Sequence, residues 1–312
     1  MKGFTAVCVT GCLASTLAVA AEPDSCKVVR FSDVGWTDNT MTTATTRLLL
    51  SAMGYTAEVS KMSVPATFKG LKDKSVDVFL GNWMPAQGHD LKPYLDEGSI
   101  DSVRANLQGA KYTLAVPTYA YDAGLKSFAD IAKFGDKLDY EIHGIEPGND
   151  GNALVKKMIA ENAFGLGKFH VVESNENTML ASLTRAEVLK APEVFLGWEP
   201  HPMNTHHAMK YLDGGDAYFG PNFGGATVYT LARSGYTKEC DNVGHLLKNL
   251  EFSLPMEDLL MDDLLNQSKN PRESAKAWLQ ANGPIVQTWL AGVMTADGKP
   301  AFPIVKARLE IP

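Results

Sequence analysis

The sequence predicts a two-lobed α/β protein, each lobe a sheet flanked by helices, with a helical C-terminal part packed on the first lobe. Three observations carry this. Short apolar runs of strand type alternate with helical patterns over most of the chain, as in repeated strand–helix units. From Asn242 onward the pattern is almost wholly helical. Two widely separated cysteines, Cys26 and Cys240, are all that follow the N-terminal leader. Paired, they place the late helical part on the N-terminal lobe.

The leader comes first. Met1-Lys2 is positive, Phe4 to Val19 is apolar and uncharged, and Ala18-Val19-Ala20 followed by Ala21 supplies a small-residue cleavage site. Residues 1–21 therefore read as a secretory signal peptide, cleaved near Ala20/Ala21. The apolar run is short for a membrane span. Two alternatives stand beside it: an uncleaved anchor, and a lipoprotein box at Val9-Thr10-Gly11-Cys12 with Cys12 lipidated. Cys8 and Cys12 leave with the signal. In an oxidising compartment the remaining two thiols are expected to pair, with two free buried thiols as the alternative. No later apolar run approaches membrane length, so the mature chain is expected to be soluble.

The elements follow in order. Strands are expected at Val28–Phe31, Thr56–Val59, Val76–Leu80, Tyr112–Val116, Tyr140–Ile145, Phe169–Val172 and Val194–Leu196. Helices are expected at Thr40–Met53, around Thr67–Lys72, and near Ser127–Phe134, Asn152–Asn162, Glu176–Leu189 and Pro202–Tyr211. Pro255–Gln267 and Pro271–Asn282 follow in the C-terminal part. This alternation predicts parallel sheets with helices on both faces. Lobe one is expected over 22–115 plus 208–312, and lobe two over 116–207. The chain crosses near Val116-Pro117 and again near 205–215, and two crossovers make a hinge suited to closure around a ligand.

With 312 residues, 45% hydrophobic and 21% charged, the chain can bury a sizeable core. Its net charge of -7 is spread rather than blocked, which disfavours nucleic acid as a partner. A monomer is expected.

Four aromatic residues sit where α/β proteins place ligand contacts, past the carboxyl ends of strands. Trp36 follows the first strand, Trp83 the third, and Trp198 a strand of lobe two. Tyr112 opens the strand that leads into the hinge. A glycine precedes each tryptophan by one or two residues. Any one of these rings, taken alone, is read as well as a core or lid residue. Together, coming from both lobes, they suit a soft cation. Their negative faces attract it, and a quaternary ammonium has no N–H donors to satisfy. Asp38 is read equally as a helix cap or a ligand contact. Asn149 has turn and cap chemistry as its plainer reading. Trp278 and Trp289 read as core.

His201, His206 and His207 cluster, but adjacent histidines point apart and lack the i, i+4 spacing of helical metal ligands. Phe223-Gly224-Gly225 matches no phosphate loop. No nucleophile elbow, Cys/His arrangement or paired-carboxylate signature is present. Neither metal nor cofactor is expected, nor an enzyme.

The segments Val34-Gly35-Trp36-Thr37-Asp38, Gly81-Asn82-Trp83-Met84-Pro85, Ala110-Lys111-Tyr112, Pro147-Gly148-Asn149 and Phe195-Leu196-Gly197-Trp198-Glu199-Pro200-His201-Pro202-Met203 resemble the choline-binding periplasmic proteins of bacterial ABC importers. These lie within the wider glycine betaine and proline-betaine binding group. The resemblance covers essentially the whole mature chain. It implies the type II periplasmic binding-protein fold, a periplasmic location and an ABC permease as partner. It also implies that Trp36, Trp83, Tyr112 and Trp198 box a trimethylammonium group. Asp38 and Asn149 would then bond a choline hydroxyl, and Cys26 and Cys240 would be the family's disulfide pair.

Charge separates the candidate ligands. A zwitterion such as glycine betaine or carnitine asks for Arg, Lys or a nest of N–H groups at its carboxylate. The quoted segments contain no Arg, one Lys (Lys111), and the acidic Asp38. Choline is therefore expected, with carnitine and glycine betaine as alternatives. An enzyme acting on a choline-like substrate and a sensory protein of the same fold are readings of other classes.

Overall fold

The computed structural model describes residues 22–312, so the expected signal peptide and Cys12 lie outside the described residues. The strands are β1 (Val28–Asp33), β2 (Thr56–Lys61), β3 (Val78–Met84), β4 (Ile100–Pro117), β5 (Glu141–His143), β6 (His170–Val172), β7 (Phe195–Glu199), β8 (Met209–Tyr211) and β9 (Gly225–Arg233). Helices of seven residues or more are α1 (Thr37–Met53), α2 (Val64–Lys72), α3 (Gly88–Asp96), α4 (Asp150–Ala160), α5 (Glu176–Leu189), α6 (Asp241–Asn249), α7 (Leu254–Leu265), α8 (Pro271–Ala281), α9 (Gly283–Trp289) and α10 (Ala301–Leu309).

The molecule is α/β and two-lobed, but its sheet is mixed where the alternation predicted parallel. Neighbouring strands run β2-β1-β3-β9-β4-β7-β5-β6, with β8 beside β4. β1, β2 and β3 are parallel at one end, as are β5, β6 and β7 at the other. The long strands β4 and β9 between them run antiparallel to their neighbours. β4 changes partner along its length. It pairs with β9 from Ile100 to Lys111 and with β7 from Lys111 to Ala115. One strand thus spans both halves of the sheet.

Two expectations are corrected here. Tyr112–Val116 is the end of an 18-residue strand rather than a separate one. Its first part escapes period-2 reading because the register against β9 shifts three times between Ser102 and Ala110; each extra residue flips the alternation of faces. Pro202–Tyr211 is not one helix but a short helical turn, Met203–His206, followed by β8. β9, unforeseen in the sequence, supplies the antiparallel partner that β3 and β4 share.

Helix starts follow ordinary chemistry. Ser63 accepts from Ala66 N at the start of α2, and Asn175 from Thr178 N at the start of α5. Cys26 and Cys240 form a disulfide across 214 residues, with Cα atoms 5.4 Å apart. Beside it, Glu22 accepts from the N–H groups of Asn242 and Val243 at the head of α6. The C-terminal helices pack onto α1, mainly through α7, α8 and α10.

Candidate ligand-binding site

Trp36, Asp38, Trp83, Tyr112, Asn149 and Trp198 line one cavity, together with Ile145 and Asp150. All six residues singled out in the sequence are brought together, from segments up to 162 residues apart (36 to 198).

The turn from β1 into α1 is tied from within. Asp33 accepts from Gly35 N at 2.8 Å and from Thr40 Oγ1 at 3.0 Å, while Asn39 Oδ1 accepts from Val34 N. Gly35 sits at φ 88°, a left-handed conformation that other residues avoid. The fixed turn leaves Trp36 as the residue that precedes α1, with no side-chain cap. Asp38 therefore lies inside the first turn, and its helix-cap reading is corrected. Its Oδ2 accepts from Trp83 Nε1 at 3.1 Å, and its Oδ1 is buried without a partner.

Trp83 and Trp198 lie within β3 and β7 rather than beyond them, each as the penultimate residue of its strand. The correction is small, because the carboxyl ends of both strands still face the cavity. Tyr112 and Trp198 are directly opposite each other on β4 and β7, so their side chains share one face. Their rings meet edge to face at 6.4 Å, and Trp83 approaches Tyr112 at 6.1 Å.

Asn149 is a cap as well as a cavity residue. Its Oδ1 accepts from Gly151 N and Asn152 N at the start of α4, and from Tyr112 Oη at 2.8 Å. Its Nδ2 donates to Glu146 Oε1. This contact with Tyr112 needs a glycine at 151: a Cβ there would lie 2.0 Å from Tyr112 Oη.

The cavity is acidic without being cationic anywhere. Asp150 is 3% exposed and neither of its carboxylate oxygens has a hydrogen-bonding partner. Burial pushes the Asp38 carboxyl up to about 7, with the charge of Glu176 adding to it. Burial pushes Asp150 up to about 7 as well, and Glu146 is a further charge beside it. Behind Asp38, buried Glu257 is raised well above the ordinary carboxylate range, by burial and then by Asp38 itself. Among the described residues that line the cavity, none is Lys or Arg. Lys111 turns to Glu199 at 2.6 Å.

A second layer grips Trp36 and Thr37. Trp36 Nε1 donates to Glu146 Oε1 at 2.9 Å, and Thr37 N donates to Glu176 Oε2 at 2.9 Å. Glu176 Oε1 accepts from His201 Nε2 at 2.8 Å, and the His201 ring meets Trp198 edge-on at 4.7 Å. The three clustered histidines go to three different carboxylates: His201 to Glu176, His206 to Asp262 and His207 to Glu187.

Sequence reasoning missed Asp150, Glu146 and Glu176. Asp150 comes directly after the quoted Pro147-Gly148-Asn149 segment, yet an acid in the first turn of a helix reads as ordinary dipole complementation. Only its unpartnered burial marks it.

The family described as substrate binding domain of ABC-type glycine betaine transport system matches residues 27–281. A solved ABC-transporter choline binding protein in complex with choline is 53% identical to this chain. It covers 92% of this chain and 100% of its own, with a TM-score of 0.91. A structure described as the ABC-transporter choline binding protein in an unliganded semi-closed conformation, also 53% identical, covers 92% and 99% with a TM-score of 0.85. A curated relative, Uncharacterized protein ORF1 of Chromohalobacter salexigens, is 50% identical over 138 residues, 44% of this chain and 89% of its own.

Proposed function

Because the chain belongs to the family of substrate-binding domains of ABC-type glycine betaine transport systems, we propose that it binds choline in the aromatic cavity and delivers it to a membrane permease. Its role as the substrate-binding component of such a transporter follows from the family. The ligand is the further step, and one observation carries it: buried carboxylates with unpartnered oxygens, Asp38 Oδ1 and both oxygens of Asp150, beside aromatic faces, with no basic side chain lining the cavity.

In this reading Trp36, Trp83, Tyr112 and Trp198 surround the trimethylammonium group. Aromatic faces attract such a cation by about 0.5–2 kcal/mol each, more when desolvated. Asp38 and Asn149 hold the hydroxyl end, and Asp150 adds a second negative charge. A zwitterion would bring its carboxylate against these acids with nothing to neutralise it. The 53% identical neighbour whose complex contains choline supports the same choice.

The lobes are proposed as 22–115 plus 208–312, and 116–207, closing over the cavity. The protein is proposed to act in the periplasm after removal of its leader, as a monomer and without turnover of its ligand. No helix among the described residues is long and apolar enough to cross a membrane.

Calorimetric titration of the mature protein with choline, carnitine and glycine betaine tests the ligand. Choline is expected to bind tightest, and Trp198→Ala to weaken it at least tenfold. Tighter binding of either carboxylated ligand, or an unchanged Trp198→Ala, overturns the assignment.

A further inference from the structure

Glu176 has the geometry of a clasp between the two lobes. It is the first residue of α5 in lobe two and is 5% exposed. One carboxylate oxygen accepts from Thr37 N, the first residue of the 17-residue helix α1 in lobe one. That helix has no side-chain cap of its own, since Trp36 occupies the cap position. The positive end of its dipole and one of its unpaired N–H groups are thus met by an anion from the other lobe. The opposite oxygen accepts from His201 Nε2. His201 Nδ1 accepts from Met203 N at 2.8 Å, so its proton sits on Nε2 and is directed at Glu176. His201 in turn packs on Trp198, a cavity wall.

These contacts form one chain from Trp198 through His201 and Glu176 to Thr37, which lies between Trp36 and Asp38 in sequence. Within that chain the Thr37 bond is the one that joins the two lobes, and the Trp36–Glu146 bond crosses beside it. We propose that Glu176 is a positioning residue that latches the closed state. It caps α1 from across the cleft and so sets how long ligand stays, without touching ligand itself. The proposal rests on the ligand site and lobe boundaries given above.

The latch makes a kinetic demand. Ligand enters the open protein, where the latch is not engaged, and leaves only after the closed form reopens. Loss of the latch should then speed release and leave association alone.

Thr37→Pro removes the donor and sets its ring Cδ where the N–H pointed, so the Glu176 carboxylate can no longer close on it. Proline is favoured at the first helical position, where its fixed φ fits and its missing N–H costs no intrahelical bond. Trp36, at φ −74° and ψ 143°, already has the extended backbone that precedes proline. Glu176→Gln breaks the other half. Its amide cannot accept from both Thr37 N and His201 Nε2, so one bond becomes a donor–donor contact.

Stopped-flow Trp fluorescence should show ligand release about 10–100-fold faster in Thr37→Pro, the worth of a hydrogen bond to a charged group. Association should stay within about twofold, and the melting temperature of ligand-free protein should be unchanged. Glu176→Gln should show the same split. Unchanged release, or a slower association that accounts for the affinity lost, overturns the latch. The kinetics use whichever quaternary amine binds the parent protein. Failure of choline to bind therefore overturns the ligand assignment while the latch is still measured.

Discussion

Replacing Asp38 by Asn removes one charge and almost no volume. The side-chain oxygen that accepts from Trp83 Nε1 is kept, so the aromatic wall should stay in place. What goes is the buried anion whose second oxygen has no partner. Its carboxyl is raised from 3.8 to about 7 by burial and by Glu176. That difference corresponds to about 4 kcal/mol of strain on the charged form. The sign matters. A carboxyl with a raised folded pKa destabilises the ligand-free fold above about pH 7, and the penalty disappears as pH falls towards 3.8. The Asn variant should therefore melt higher than the parent at pH 8, by up to about 4 kcal/mol of stability, and equally at pH 4.

Binding should move the other way. A cation favours the ionised Asp38, so the charge lost at pH 8 should cost choline about 10–100-fold in affinity, the range for a charge-assisted contact. Below pH 7 the parent must first release a proton from Asp38 on binding. The ratio between parent and variant should then shrink by up to about tenfold per pH unit. Calorimetry at pH 6, 7 and 8, paired with thermal melts of ligand-free protein, reads both effects. A higher melting temperature with weaker binding is the signature of a functional charge. Equal affinities at pH 8, or a loss that is the same at pH 6 and pH 8, would refute the electrostatic account.

Two further substitutions probe the scaffold. Gly151→Ala would drive a methyl to 2.0 Å from Tyr112 Oη; it should displace that ring and weaken ligand binding at least tenfold, read by titration. Cys26→Ser with Cys240→Ser removes a link that closes 214 residues; denaturant unfolding should show a loss of about 2–5 kcal/mol, with ligand affinity of the folded protein within about twofold.

The cavity was legible in the sequence because its walls come from strand ends, where short local patterns carry the information. Gly35 before Trp36, Gly81 before Trp83 and Gly197 before Trp198 each mark a strand running out towards a cleft. The disulfide was legible because Cys8 and Cys12 fall in the expected leader, which leaves Cys26 and Cys240 to pair. β4 was less so, because three register shifts hide its alternation and leave only its end, after Tyr112, with a clean pattern. Glu176 and His201 could not be found this way. The bond from Thr37 N to Glu176 joins residues 139 apart, and no spacing rule connects them. Asp38 shows the limit most clearly. Its place near the start of α1 was visible, but whether it capped the helix depended on where the helix began, and that was set by the bonds of Asp33 and Asn39.

The site's charge explains why aromatic rings and acids occur together. A trimethylammonium group has no N–H, so it cannot donate to a carboxylate as a Lys or Arg side chain would. Its charge is felt through the field, and methyl groups must still find apolar contact. Rings supply both at once, with apolar surface and a negative face. Burying Asp38 and Asp150 beside the rings lowers the effective dielectric around them, which strengthens their pull on a cation. The same burial raises their pKa when the cavity holds no cation. An arginine in the wall would have relieved that cost and attracted a ligand carboxylate. With none lining the cavity, the unrelieved acids favour a positively charged ligand, and its binding should release protons to solvent near neutral pH.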